Sequence, residues 1–578
     1  MSGKNRSSSG YTRKQVASIM AAGKSAGLAT VSRLQREFTS TKDGAWLILS
    51  VIVVVIACQG WLIFEKAINW DEFLHFGQIY ELAVGELSGS LQSLHTRLFG
   101  WTTMVSQDVI TQIQSARIAM LACAVLTAGC VVVLARRLVE IEIALLCGLS
   151  YLTAGFVFTN ASAYRPDPVA AAALMSSLCL VAFGSFSWTR VILSAVLVGL
   201  AGALTIKSIF YAPCFAAIVY LHWRDTTGPR AMVVYRSIAL IAVAMLFFAL
   251  VIGLHGTATP NAAGDESALG RKVHSFLSFF EFEQVRYVFA EMALAPLVTL
   301  SLILLVPVAH GLPKNVKILL LGLCGPLLCI FFYRNTFPYF FTFLLPPVCV
   351  AIAPVLSKLV VRYGLGPIIG VALFGPVILL MQEPYGMLAR QSATIKEVER
   401  LFPQPTPYLS FSSYVPHYPR QFTSLMSGPG LRSYWMQRNG QIARDIEAGR
   451  IAFVIVADDA LEAVYKNKGT ADLLPERDVI ALRANFLEYS DKIFILGRKI
   501  CPQVKDQTVQ IVRNGLYSLE GGDLVIDNQR IADGKSISLS AGRHLVRHER
   551  GGCVKLWALD HVPKLPEGFP SGPIVGGY

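Results

Sequence analysis

Eleven apolar runs fill the first two thirds of the chain, at 45–64, 115–135, 141–160, 168–186, 191–206, 208–223, 231–254, 286–308, 317–333, 338–357 and 365–381. Most approach the roughly 20 residues that a helix needs to cross a bilayer, and several are shorter. Residues 65–114 between the first two runs are half-polar. The pattern changes after about 385. Arg390 to Leu401 has the spacing of an amphipathic helix, while IAFVIVA (451–457) and KIFILG (492–497) have the texture of buried strands. From about Thr508 short β-rich runs alternate with Asn-Gly, Gly-Gly and Asp-Gly pairs, which predicts hairpins and a small β-sandwich. The fold class expected is a polytopic α-helical membrane protein of about eleven transmembrane helices with a C-terminal external α/β plus β-sandwich domain. The divisions are a basic tail (1–44), a transmembrane domain (45–384), an α/β module (385–504) and a β-rich module (505–578).

Composition agrees with this reading. Of 578 residues 53% are hydrophobic and 15% charged, against about 25% charge in ordinary soluble proteins. A purely soluble enzyme, a disordered chain and a disulfide-rich secreted scaffold are excluded. The net charge of +13 would suggest nucleic acid in a soluble protein, but its distribution points to the membrane instead. Residues 1–44 carry Lys4, Arg6, Arg13, Lys14, Lys24, Arg33, Arg36 and Lys42 without an apolar h-region, which reads as a cytoplasmic tail and not a removable signal. With that end inside, the turns at Arg136-Arg137, Arg190, Arg224–Arg230, His310–Lys317 and Lys358–Arg362 are all cytoplasmic and all basic, as the positive-inside rule requires. The odd span count then places everything after residue 382 outside, in the periplasm of a bacterial inner-membrane protein. No nucleic-acid partner is expected. Of the 11 cysteines only Cys501 and Cys553 fall in this external part. A disulfide between them and a pair of free buried thiols are the two readings.

Four polar groups stand out on the external face. NWDEFLHF (69–76) puts Asp71 and Glu72 at an interface among aromatics, with His75 one helical turn from both. The structural alternative is an interfacial helix running to about Leu87, capped by Asn69 or Asp71. In YRPDP (164–168), Asp167 before Pro168 reads as an N-cap with proline at the first helical position, which leaves Arg165 unexplained. Lys207, in LTIKSIFYAP, must snorkel, pair with a carboxylate or hold a phosphate. The segment FFYRNTFPYFF (331–341) interrupts two spans with Arg334 and Asn335 amid aromatics that include Tyr339. Cations and carboxylates gathered at a lipid–water boundary suit a substrate with a phosphate and a lipid tail.

This arrangement resembles the GT-C superfamily of integral membrane glycosyltransferases, which includes protein O-mannosyltransferases and the bacterial aminoarabinose transferase of lipid A. The similarity rests on Asp71-Glu72 in the first external loop, Arg165 and Asp167 in the next, Lys207 at a membrane exit and the YRNTFPYFF segment, and it covers about residues 45–385. It implies transfer of a sugar from a polyprenyl-phosphate donor to a glycan, lipid or protein acceptor on the outer face, with inversion. Asp71 is then the general base, with Glu72 beside it in the catalytic motif. Lys207, Arg334 and Arg165 bind the donor phosphate, and His75, Asp167 and Tyr339 support them. Some relatives use a divalent metal; without a His/Cys ligand cluster in the sequence, no metal ligand is assigned here. Loop 256–285, with His274 and Glu281, matches no family motif and could serve as a lid. The rival readings are a transporter or flippase, for which Glu291 is the clearest carboxylate within a span, and a glycan-binding receptor.

Overall fold

The computed structural model describes residues 42–87, 92–183, 186–257, 285–331, 333, 336–421, 428–437, 440–466, 474–502, 506–548 and 552–575. The chain divides into two compact units, one of residues 1–64, 85–98 and 116–383, the other of 65–84, 99–115 and 384–578.

The first unit is helical because its apolar runs have no polar period to break and no water to satisfy an open backbone. Among the described residues six helices are long and apolar enough to cross a membrane: Asp43–Glu65, Val109–Ala135, Ile206–Asp225, Arg230–Gly256, Lys314–Phe331 and Leu365–Gln382. Two bent pairs raise this to as many as eight, and three shorter apolar helices, Ile141–Leu152, Pro166–Ala182 and Trp188–Leu204, accompany them. The chain is an integral membrane protein. Each of the eleven apolar runs overlaps a helix among the described residues, yet a run is not always one straight span. Val285–Leu294 and Pro296–His310 meet at 96°, and Phe340–Ala351 and Ala353–Tyr363 at 65°. Pro296 and Pro354 open the second helix of each pair, where a missing N–H costs nothing and the ring blocks continuation of the helix before it. Ile241, Leu246 and Leu254 of Arg230–Gly256 stay exposed, as on a helix whose outer side meets lipid. Its other side lies so close to Trp188–Leu204 that a Cβ on Gly199 would sit 2.7 Å from the Ala244 carbonyl oxygen.

In the second unit, Met387–Leu401 supplies an amphipathic helix, Trp70–Ala83, Gly428–Gln437, Gln441–Glu447, Asp459–Tyr465 and Glu476–Asn485 are further helices, and the strands form two sheets. The strands are β1 (Tyr408–Leu409), β2 (Arg420–Gln421), β3 (Phe453–Ile455), β4 (Phe486–Glu488), β5 (Ile493–Ile500), β6 (Asp506–Ile511), β7 (Gly515–Glu520), β8 (Leu524–Ile526), β9 (Gln529–Ile531), β10 (Ser536–Leu539), β11 (Gly542–His548) and β12 (Val554–Trp557). One sheet runs β10-β7-β12-β5-β3-β1-β2 with β4 also on β5, and the other runs β6-β11-β8-β9. They enclose a sandwich core of Ile500, Ile511, Tyr517, Leu519, Leu524, Ile526, Val546 and Leu556. The β8–β9 hairpin closes through Asp527 and Asn528, both at positive φ, as a two-residue turn of the primed type demands. The larger sheet crosses the point near 505 where the sequence texture changes, because β12 returns to lie between β5 and β7. One step beyond the Ile500–Val554 pair, Cys501 and Cys553 are disulfide-bonded.

Cys553→Ser, or reduction of the bridge, is expected to lower stability by about 2–4 kcal/mol. Thermal unfolding of the purified protein with and without reductant measures this; an unchanged midpoint would show that the paired strands alone hold the sandwich.

Candidate functional site

In the first unit, helix Pro166–Ala182 begins with Arg165 at the N-cap and Pro166 at the first helical position, and no side chain caps it. Asp167 is therefore not the N-cap that its proline suggested: in PDP the earlier proline starts the helix, and the aspartate falls inside the first turn. Its carboxylate, 1% exposed, is used elsewhere. Oδ1 accepts from the Lys207 ammonium and Oδ2 from Arg165 Nε at 3.2 Å. Lys207 reaches it from a 3₁₀ segment, Ile206–Tyr211, inserted where helix Trp188–Leu204 stops. Both cations are almost fully buried. The Arg165 guanidinium carbon lies 3.3 Å from the centre of the Tyr339 ring, and the Lys207 nitrogen lies 5.4 Å and 5.5 Å from the Phe340 and Tyr339 rings. Two cations thus share one carboxylate and the faces of aromatic rings, a desolvated setting in which an added anion is strongly attracted.

Asp71, Glu72 and His75 belong to the second unit, on helix Trp70–Ala83, which ends at Val84, short of Leu87. Asn69 is its N-cap: its side chain accepts from Glu72 N–H at 3.0 Å, and Glu72 Oε2 accepts from Asn69 N–H at 3.1 Å. This reciprocal pair is a capping box. Glu72 thus has a structural task. Asp71 is buried and does not cap the helix. His75 is half-buried one turn further on.

The sequence-assigned residues therefore form two groups. Arg165, Asp167, Lys207 and Tyr339 converge in the first unit; Asp71, Glu72 and His75 share the start of one helix in the second. Arg334, His274 and Glu281 lie outside the described residues. Glu291 is buried in the first unit, where Oε2 accepts from Phe156 N–H at 2.6 Å and Gly155 makes room for the carboxylate. Among the described residues no group of three or more His, Cys, Asp and Glu could hold a metal ion. One cluster escaped the sequence reading. Arg97 Nε donates to His255 Nδ1 at 2.8 Å, which puts the ring proton on Nε2, 2.9 Å from Ser93 Oγ. These residues lie about 160 positions apart, and only the histidine ending an apolar run hinted at them.

Neither protein-family profiles nor curated protein sequences match this chain. Solved structures do. ArnT from Cupriavidus metallidurans bound to undecaprenyl phosphate superposes with a TM-score of 0.55 at 12% identity, over 79% of this chain and 98% of that one. The chain has a GT-C-type fold. A second GT-C structure, the archaeal oligosaccharyltransferase AglB from Archaeoglobus fulgidus in complex with an inhibitory peptide and a dolichol-phosphate, matches with a TM-score of 0.50 at 10% identity, over 89% of this chain and 96% of that one. At these identities the likeness concerns the GT-C fold.

Asp167→Asn removes the carboxylate that the two buried cations share and is expected to cost about 3–5 kcal/mol of stability. The Asp167→Asn/Lys207→Met pair should cost less than its single variants combined, with a coupling of about 0.5–3 kcal/mol. Unfolding in mixed micelles reads all three variants; strict additivity would show that the ion pair contributes nothing.

Proposed function

We propose that the protein is a glycosyltransferase that moves a sugar from a polyprenyl-phosphate donor to a glycan, lipid or protein acceptor. The observation that carries this reading is the pair of buried cations, Lys207 and Arg165, gathered on one carboxylate within a GT-C-type fold. A donor phosphate offers them a second anion, and the lipid tail suits the apolar helices around them. The two solved structures of this fold were determined with undecaprenyl phosphate and with a dolichol-phosphate, which favours a lipid phosphate as the carrier.

In the reaction, the acceptor hydroxyl oxygen forms a bond to the anomeric carbon while the bond from that carbon to the phosphate oxygen breaks. The electron pair leaves with the polyprenyl phosphate, and the acceptor proton passes to Asp71. A single displacement inverts the anomeric centre. Lys207 and Arg165 offset the charge that grows on the leaving phosphate, and Asp167 keeps both cations oriented when no donor is bound. A divalent metal has no assigned ligands in this scheme. Glu72, engaged in the capping box, fixes the start of the helix that carries Asp71. The protein is assigned to the bacterial inner membrane, with its N-terminus cytoplasmic and the residues after 382 periplasmic.

Asp71→Asn, isosteric and uncharged, is expected to lower turnover about 10²–10⁴-fold in proteoliposomes with polyprenyl-phosphate sugar, with an unchanged thermal midpoint. Lys207→Met is expected to lower kcat/KM for the donor by about 10²-fold or more. Near-normal turnover in Asp71→Asn would remove the aspartate from the chemistry, and full activity in Lys207→Met would overturn the phosphate assignment.

A further inference from the structure

In the second unit, residues 408–421 leave the sheet and return to it. Tyr408 of β1 pairs with Arg420 of β2 in parallel, and Tyr408 N–H donates to the Pro419 carbonyl at 3.0 Å. The Tyr408 hydroxyl is fixed against Val415, accepting from its N–H at 3.1 Å and donating to its carbonyl at 3.3 Å. Helix Trp70–Ala83 covers the loop along one face. The Phe73 ring lies 4.7 Å from Tyr414, a Cβ on Gly77 would sit 2.5 Å from Ser413 Cβ, and the Tyr80 ring lies 6.0 Å from His417.

Inside this packing lies a group of sealed polar atoms without hydrogen-bond partners. They are the hydroxyls of Ser410, Ser412 and Ser413, Nδ1 of His417, and Nε, Nη1 and Nη2 of Arg420. The three serines are 0–3% exposed. Arg420 is half-buried as a residue, but the exposure comes from the rest of it and not from the three nitrogens. Buried donors are ordinarily satisfied; Arg117 in the first unit, for comparison, donates to the Ile63 carbonyl at 3.2 Å. The charged neighbours here do not close the account. Glu399 stands 3.4 Å from His417 Nε2, on the other side of the ring. Glu81 and the Tyr408 hydroxyl act on Arg420 electrostatically, without a hydrogen bond to it. The loop follows the C-terminal end of β1, and β1 runs parallel to both of its neighbours, β2 and β3.

An arginine fork and three hydroxyls without partners, all within residues 410–420, can each donate to an anion, and such donors match oxyanions. We propose that the 410–420 loop is an oxyanion-binding site that takes a phosphate or carboxylate group carried by a polyhydroxylated ligand. It stands apart from the transferase reading, because binding is measured without turnover.

Purified full-length protein in detergent is titrated with inorganic phosphate, with glucuronate and with neutral glucose, followed by thermal midpoint and calorimetry. Phosphate, glucuronate or both should bind saturably and raise the midpoint, and glucose should not. Phosphate alone would identify a phosphoryl group, glucuronate alone a uronic acid. Arg420→Gln is expected to weaken anion binding about tenfold or more and to leave the anion-free midpoint unchanged or higher, since it removes a buried charge without a partner. Arg420→Lys, which keeps the charge and loses the fork, should fall between. If Arg420→Gln does not fold, Ser412→Ala serves instead, with an expected weakening of about threefold or more. The proposal is overturned if neither anion shifts the wild-type midpoint, or if the variants bind anion as the wild type does.

Discussion

A carboxylate that holds two cations inside apolar helices sets conditions for everything around it. An ion removed from water is costly; here the Asp167 carboxylate offsets the charges of both Lys207 and Arg165, and the aromatic faces of Tyr339 and Phe340 lie against the two cations. The local backbone follows from that demand. Helix Trp188–Leu204 stops and a 3₁₀ segment intervenes, so that Lys207 points toward the aspartate. Helix Pro166–Ala182 starts one residue after Arg165, so that the guanidinium turns back over its first turn. The segment Tyr339–Phe343 brings rings where an aliphatic wall would leave the charges unsupported.

Much of this was legible along the chain, for reasons that also mark where legibility ended. Apolar runs report burial in lipid or core, so each of the eleven overlaps a helix among the described residues. They do not report direction, so the breaks at Pro296 and Pro354 had to be seen. Arg165, Asp167, Lys207 and Tyr339 each looked out of place in an apolar setting, which is a local property; that they meet is a non-local one. Asp167 was misplaced as a cap because two prolines flank it and either could begin the helix. The task of Glu72 was available in the spacing Asn69-x-x-Glu72, which is that of a capping box. By contrast, the orphaned group at Ser410–Arg420 looks in sequence like any polar loop, since a missing partner is visible only once the packing is known.

The second unit is assembled from chain segments that are far apart in sequence. Gln391 shows how closely they are bound: its Oε1 accepts from Ile68 N–H at 2.8 Å, and its Nε2 donates to the carbonyls of Ile68 at 2.7 Å and Ile574 at 2.8 Å. One amide thus ties the entry to helix Trp70–Ala83, the amphipathic helix after residue 384 and nearly the last described residue. Tyr80 likewise donates to Gln112 at 2.7 Å, drawing in the 99–115 segment.

That discontinuity has a consequence for biosynthesis. Ile68 and Gln391 are separated by 323 residues, which at about 5–20 residues per second takes roughly 15–60 s to translate. Throughout that interval helix Trp70–Ala83 exists without the loop whose Tyr414 packs on Phe73. An amphipathic segment left waiting beside a bilayer has an obvious temporary berth at the lipid surface. Its departure from there, once the chain end has emerged, would be the closing step of maturation. Truncation near the C-terminus would then leave a fully inserted chain in which helix Trp70–Ala83 never finds its place.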